Sequence, residues 1–366
     1  MSSRDQSANN RRHARAAPHT GVVSAAASVL DALVASIDAQ HLGAYGVHVL
    51  VAEEEVHHRW RSDDRENLYS VSKGVCALAA SMAADEGIIS FATTVGEVFE
   101  DAPLGDGTAE VTLGHLLTMT SGIDFEWFGD DEVVWPDLAL EMIRRPTRGA
   151  GRVFQYSDAS TYVAMRMLGS AVGDVRDWLM PRLFDPLGIH NPQWHRCPLG
   201  WIVGGSGLYL RTSELARIGR LLRDRGRWNG HSLVSADRID ALHGTWVTTG
   251  GKAPFELYGA AAWAGPGDSW RLDGRYGQYV IVDDARDAVI TITAHEEGRD
   301  HRLVDCANEA LAAGVPAATK KPCKHDDLQG FSGGLFAYLI WPRHPGPLST
   351  SPQAHSSEPP ELFLWK

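Results

Sequence analysis

The sequence predicts an α+β fold: one sheet assembled from both ends of the chain, with a helical lobe inserted between them. Strand-like segments fall near residues 45–60 and 277–295, and helical spacing dominates between residues 71 and 190. At 366 residues the chain exceeds what one minimal core needs, which leaves room for the insertion. The expected organisation is a disordered leader over residues 1–21, a folded domain over 22–314 with its lobe near 93–200, and a Pro-rich tail over 315–366.

In chain order, residues 1–21 are polar, Arg-rich and aperiodic. Arg11, Arg12 and Arg15 precede an apolar run from Val22 to Leu30, as in a secretory leader. Asp31 and Asp38 break that pattern, and Val23, Ala26, Leu30, Leu33, Val34 and Ile37 recur at helical spacing. An amphipathic helix and a cytoplasmic location are therefore expected. Tyr45 to Ala52 and Val56 to Trp60 read as strands, with Glu53 to Glu55 as the polar turn between them. A helix of small residues begins at Val71 and is ended by Gly87. Loops are expected at 101–109, 122–132 and 146–156, and another amphipathic helix from Thr212 to Arg225. Residues 277–283 and 288–295 read as neighbouring strands around an Asp-Ala-Arg-Asp turn, followed by a last helix near 300–313. Eight of the 18 prolines lie beyond residue 315, in linker-like sequence apart from a short apolar run at Leu335 to Trp341.

Composition narrows the function. With 44% hydrophobic and 22% charged residues, the chain is an ordinary globular protein. A net charge of −12 argues against sequence-independent nucleic-acid binding, which draws its affinity from a basic surface. No stretch reaches the roughly 18 apolar residues that span a bilayer. Cys76, Cys197, Cys306 and Cys323 form no C-x-x-C pair, so reduced thiols are expected rather than a disulfide framework or a zinc site. Only two lysines, Lys73 and Lys252, precede residue 319.

Lys73 lies three residues after Ser70, a spacing that puts both side chains on one helical face while Ser72 points away. A serine hydroxyl is a weak nucleophile and needs a neighbouring base. A lysine serves when an apolar, crowded site lowers its pKa from about 10.4 toward neutrality. Val75, Cys76, Leu78 and Ala79 supply such surroundings. A helix N-terminus at Ser70 adds backbone N–H groups that favour developing negative charge.

The downstream text carries a resemblance. Tyr69-Ser70-Val71-Ser72-Lys73 is followed by the run from Thr112 to Gly122 (TLGHLLTMTSG), Phe154-Gln155-Tyr156-Ser157-Asp158, Asp185 to Ile189 (DPLGI), and Gly204 to Leu208 with Thr212 to Gly219 (TSELARIG). In this order and spacing the sequence resembles the serine hydrolases of the β-lactamase/penicillin-binding superfamily. It is most similar to the class C-like branch with its esterases, D-amino-acid peptidases and 6-aminohexanoate-dimer hydrolases. The resemblance spans about residues 22 to 314 and leaves the tail outside. It implies a β-lactamase/transpeptidase-like fold, an α/β/α sandwich whose mainly antiparallel sheet is flanked by helices and carries an all-helical lobe.

Roles follow from the resemblance. Ser70 would be the acylated nucleophile, Lys73 its partner in proton transfer, and Tyr156 the base or proton-relay tyrosine. A tyrosine with a pKa near 10 is a base only beside a cation, and Lys73 is the candidate. Leu272 to Gln278 (LDGRYGQ) resembles the A-x-G-x-x-G-Q variant of the family's third element. Gly274 would permit close backbone approach to substrate, and the N–H of Arg275 would pair with that of Ser70 as oxyanion donors. Two positions depart from the family pattern. Asp158 stands where an asparagine or serine is usual, so it brings a charge to the site and could pair with Lys73 and hold it protonated. Leu272 fills the slot of the Lys or His that binds a substrate carboxylate, leaving that task to Arg271 or Arg275.

Other signals carry less. His57-His58, and His295 with His301, are read as solvent-facing rather than metal ligands, and the G-x-S-x-G elbow is not matched by Gly204 to Gly207. The tryptophans near 127–135 and 194–201 fit core packing at least as well as a cleft. The expected function is metal-independent acyl transfer to water, on a small-molecule ester or amide, through an acyl-enzyme on Ser70. β-Lactamase or D-Ala-D-Ala peptidase activity, and a catalytically silent ligand-binding role, are the alternatives. No cofactor, metal, nucleic-acid or membrane partner is expected, and the sequence assigns no oligomeric state.

Overall fold

The first helix, α1 (Ala25–Ala39), begins where the Ser24 hydroxyl accepts a hydrogen bond from the Ala27 N–H at 3.2 Å. It turns Ala26, Val29, Leu33 and Ile37 inward at helical spacing. The computed structural model describes residues 24–129 and 133–318. The expected leader, most of the tail, Cys323 and the run Leu335 to Trp341 lie outside the described residues.

Strands β1 (Ala44–Val51) and β2 (Glu54–Arg59) form an antiparallel hairpin. Its turn is tighter than the sequence suggests. Glu54 and Glu55 pair with Val51 and Leu50 inside the ladder, and Ala52 takes a left-handed φ of 49°. β2 is the outer strand of the sheet, so its solvent-facing glutamates look like a turn in sequence. The short β3 (Glu66–Asn67) leads through a 3-10 turn, Tyr69–Val71, into α2 (Ser72–Asp85). Every residue of α2 from Ser72 to Ala83 is buried, which its small side chains allow. Gly87 ends the helix at a φ of 71°, as its sequence position indicates.

The lobe contains α3 (Val95–Val98), α4 (Leu113–Leu117), α5 (Leu138–Ile143), α6 (Asp158–Val172) and α7 (Val175–Leu179), then a π-turn over Met180–Phe184. β4 (Gln193–Trp194) and β5 (Leu208–Leu210) join β3 in a three-stranded sheet of order β3-β5-β4. After α8 (Thr212–Arg223) come the β6 (Arg227–Trp228) and β7 (His231–Ser232) ribbon and α9 (Ala236–His243). The chain then lays down β8 (Val247–Thr248), β9 (Leu257–Tyr258), β10 (Trp263–Ala264), β11 (Ser269–Gly274), β12 (Gln278–Asp283) and β13 (Ala288–Ala294), and closes with α10 (His301–Gly314).

The main sheet has the order β2-β1-β13-β12-β11-β10-β9-β8, with each neighbouring pair antiparallel. Its first and last strands meet, Ala44 opposite Ala294 and Val51 opposite Ala288, as expected of a sheet built from both ends of the chain. One face buries Val47, Val49, Ile290 and Ile292 against Leu33 of α1 and Leu303 of α10. The other buries Val280, Val282 and Val289 with Leu215 and Ile218 of α8, in the core that continues into the lobe. The result is the α/β/α sandwich of the sequence analysis.

Leu33 is fully buried between these layers. Leu33→Ala is expected to lower the unfolding free energy by about 2–5 kcal/mol, as cavity-forming core truncations do. Urea denaturation measures this, and an unchanged midpoint would show that the helix layer contributes little.

Candidate active site

Ser70 sits half-buried in the 3-10 turn just ahead of α2, rather than within the α-helix itself. Asn67 fixes that turn: its Oδ1 accepts from the Tyr69 N–H at 2.9 Å and from the Gly207 N–H at 3.0 Å. Tyr69 adopts a left-handed φ of 46°, unusual for a residue with a side chain. Ser72 points away into the core, where its hydroxyl accepts from the Leu208 N–H.

Lys73 is 1% exposed, and the expected alignment with Ser70 is present. Its Nζ donates to Ser70 Oγ at 2.7 Å and to the Gly205 carbonyl at 2.9 Å, and lies 2.5 Å from Asp158 Oδ1. Oδ1 has no well-aligned hydrogen bond, so this third contact is ionic. Two hydrogen bonds and one ionic contact thus surround the ammonium with oxygen atoms. Asp158 is the first residue of α6, where the helix N-terminus favours a carboxylate. Its Oδ2 accepts from the Gly129 N–H at 2.8 Å. Gly205 lets the main chain approach this closely: a Cβ there would fall 2.6 Å from Asp158 Cβ. The charged residue in the tyrosine triplet therefore pairs with Lys73, as its identity allowed.

Tyr156 places its ring 4.8 Å from Lys73 Nζ and hydrogen-bonds Ser70. Burial, reinforced by the Asp158 carboxylate, holds its phenol well above the ordinary tyrosine range, and the Ser70 bond only partly offsets this. Lys73, the cation expected beside Tyr156, lies next to its ring and is itself paired with Asp158.

Gly274 ends β11 against the Ser70 turn. A Cβ at this position would meet the Leu68 carbonyl oxygen at 2.4 Å and the Val71 nitrogen at 3.2 Å. Arg275 follows, half-buried, with its guanidinium carbon 4.7 Å from the Tyr276 ring centroid. Leu272 is buried and packs where a side chain on Gly74 would otherwise sit. Arg271 does not face a ligand. It is 2% exposed, its Nε donates to Asp273 Oδ2 at 2.8 Å, and its terminal nitrogens donate to the Ala264 and Pro254 carbonyls. Of the two arginines proposed for a substrate carboxylate, Arg271 is thus committed within the protein.

Two features escape the sequence reading. Asp273 is a second carboxylate beside the site, raised by burial against the opposing pull of Arg271. Its place next to Gly274 in the motif was the available signal. An aromatic group of Phe154, Tyr156, Phe255, Tyr258 and Trp263 surrounds Met119, with Tyr156 stacked on Trp263 at 5.8 Å. Nothing in the spacing of these residues separates such a wall from ordinary core.

Cys76 lies beneath the site, and burial pushes its thiol far up, away from reactivity. Cys197 and Cys306 are also free and buried. Among the described residues no group of three or more His, Cys, Asp or Glu side chains is arranged to hold a metal ion. Among the same residues no helix is long and apolar enough to cross a membrane. Two surface clefts lie elsewhere, one of about 470 Å³ lined by Arg65, Arg211 and Arg217, the other of about 310 Å³ lined by Arg225, Asp240 and Asp284.

The Beta-lactamase family profile matches residues 27–314, a span that holds all six candidate residues. The chain belongs to the beta-lactamase family. Solved structures agree on the fold. A candidate 6-aminohexanoate-dimer hydrolase from Bacillus anthracis superposes with a TM-score of 0.62 at 16% identity, covering 75% of this chain and 80% of that one. A family VIII carboxylesterase gives 0.62 at 16% identity, covering 80% and 99%. A class C beta-lactamase gives 0.61 at 16% identity, covering 81% and 98%. No curated protein matches the sequence significantly. At such identities these likenesses speak for the beta-lactamase fold, not for a substrate.

Within this family member, the contact between Gly274 and the Ser70 turn leaves no room for a methyl group. Gly274→Ala is expected to cost about 1–3 kcal/mol in unfolding free energy through overpacking. A variant as stable as the wild type in urea would mean that strand and turn separate freely.

Proposed function

We propose that this protein is a serine hydrolase that cleaves a small ester or amide through an acyl-enzyme on Ser70. The observation that carries this reading is the buried Lys73 Nζ, 2.7 Å from Ser70 Oγ with the Asp158 carboxylate directly behind it. In acylation Ser70 Oγ attacks the carbonyl carbon. Its proton passes to Lys73 Nζ as Lys73 yields one of its own to Asp158 Oδ1, so Lys73 stays an ammonium, Asp158 becomes a neutral acid, and the positive charge left on the pair balances the oxyanion that forms. In a buried site that cation and the oxyanion attract each other far more strongly than they would in water. The tetrahedral oxyanion is held by the N–H groups of Ser70 and Arg275. Tyr156, which keeps its proton, gives it to the departing alkoxide or amine and is refilled from Asp158 through Lys73. Water then attacks the acyl carbon along the same route in reverse, which frees the acid and returns a proton to Ser70 Oγ.

The engagement of Arg271 and the burial of Leu272 favour substrates without a carboxylate beside the scissile bond, hence an esterase or amidase over a β-lactamase or D-Ala-D-Ala peptidase. The Lys73–Asp158 contact also favours a second reading, a silent member that binds ligand without turnover, because an ammonium locked to a carboxylate accepts no proton. Under that reading a ligand stabilises wild type and Ser70→Ala equally and no product forms.

A fluorophosphonate probe is expected to label the wild type and not Ser70→Ala, and equal labelling of the two would remove Ser70 from the mechanism. Lys73→Ala should lower kcat for a p-nitrophenyl ester by about 10²–10⁴-fold, the usual range for a general acid–base group. Asp158→Asn should lower it by roughly 10²-fold on the same grounds. A rise in turnover in that variant would identify Asp158 as a brake on Lys73 and overturn the relay.

A further inference from the structure

Two tyrosines flank the two main-chain N–H groups assigned above to the oxyanion. Tyr69 precedes Ser70, and Tyr276 follows Arg275. Both adopt left-handed backbone conformations, with φ of 46° and 64°. That region is disfavoured for any residue with a side chain, so each persists only where its surroundings hold it. Here the two surroundings are partly each other: the rings meet edge to face, 5.2 Å between centroids at 77°. This is a favoured aromatic geometry. Tyr276 is further sandwiched, with His295 stacked at 4.5 Å and the Arg275 guanidinium at 4.7 Å. Its carbonyl accepts from the Glu296 N–H at 3.0 Å.

The placement matters for the donors. The Tyr69 carbonyl and the Ser70 N–H belong to one peptide plane, so the Tyr69 backbone aims that N–H. Tyr276 sits in the tip of the β11–β12 hairpin, where the Gly277 N–H closes back on the Gly274 carbonyl at 3.2 Å. The tip carries Arg275, so a shift of the Tyr276 ring carries the second donor with it. Gly274 sets how closely the strand approaches the Ser70 turn. The ring pair adds a side-chain link from the turn to the tip.

We propose that the edge-to-face contact between Tyr69 and Tyr276 is a clasp that sets the gap between the Ser70 and Arg275 N–H groups, making both tyrosines positioning residues for the oxyanion. The clasp rests on the serine-hydrolase reading of the same site.

The test uses the full chain with a p-nitrophenyl ester and a fluorophosphonate probe. Tyr276→Ala is expected to lower kcat at least about tenfold with KM within about twofold, since a small misplacement of reacting groups costs up to roughly 10²-fold. Tyr276→Phe keeps the ring and should recover kcat to within about threefold. Because the two rings act as one unit, Tyr69→Ala combined with Tyr276→Ala should fall no more than about threefold below the worse single variant. If Tyr276→Ala loses its cooperative thermal transition, Tyr276→Leu replaces it, keeping bulk without an aromatic face and showing the same kcat drop. Wild-type kcat in the ring-less variant, or losses that multiply in the double variant, would overturn the clasp alone. Failure of the probe to label Ser70 in the wild type would overturn the hydrolase reading, and the clasp with it.

Discussion

The site depends on a lysine ammonium placed where water cannot reach it. Burying a lone cation is prohibitive unless other groups replace its hydration shell. For Lys73 they do so from three different parts of the chain: Ser70 one turn away, the Gly205 carbonyl, and Asp158 at the head of α6. Each supplier in turn constrains its neighbourhood. Position 205 has no room for a side chain, and Asp158 is held from its far side by the Gly129 N–H. The lobe is thereby fastened to the central helix by charge as well as by apolar packing. Replacing the pair with apolar residues could preserve or even raise stability. The pair therefore need not be there for stability, and its two charges cancel only while both partners stay ionised.

Around that centre the sheet supplies shape. β11 reaches the Ser70 turn only because Gly274 lacks a side chain, and Leu272 beside it packs against the small residue Gly74. These two contacts hold the strand against the helix that carries Lys73. The hairpin tip and its aromatic bridge then complete the geometry at the edge. Rigidity thus rises from layered packing, with the reacting groups placed on a helix start and a strand end rather than on long loops.

Much of this was legible in the sequence because it follows short-range rules. The three-residue spacing of Ser70 and Lys73, the inward row of α1, and Gly87 as a helix stop are all local patterns. The pairing of the terminal strands was also legible, since β1 and β13 are long enough to show apolar runs. The strands of two or three residues from β3 to β10 were not, because alternation needs several residues to register. Glu54 and Glu55 were misread because an outer strand facing solvent has the composition of a turn. The direction of the Tyr156 shift was hidden for a different reason. The sequence offers Asp158 as a partner for Lys73, but only three-dimensional packing shows how deeply the phenol is buried beside that carboxylate. Left-handed tyrosines are likewise invisible, as nothing in a side chain's identity announces a strained φ.

The closure of the sheet by its first and last strands has a consequence for the order of events during synthesis. Ser70, Lys73 and most of the lobe leave the ribosome well before β11, while Ala44 finds its partner only when Ala294 has been made. Until then β1 offers a bare ladder on one side, and the turn bearing Ser70 has no strand to brace it. A nascent chain therefore carries the Ser70 turn without the β11 strand that packs on it. Pairings of such long sequence separation are entropically costly to nucleate and slow to form. The sheet closes late and all at once, so a product truncated before β13 would leave β1 without its inner partner.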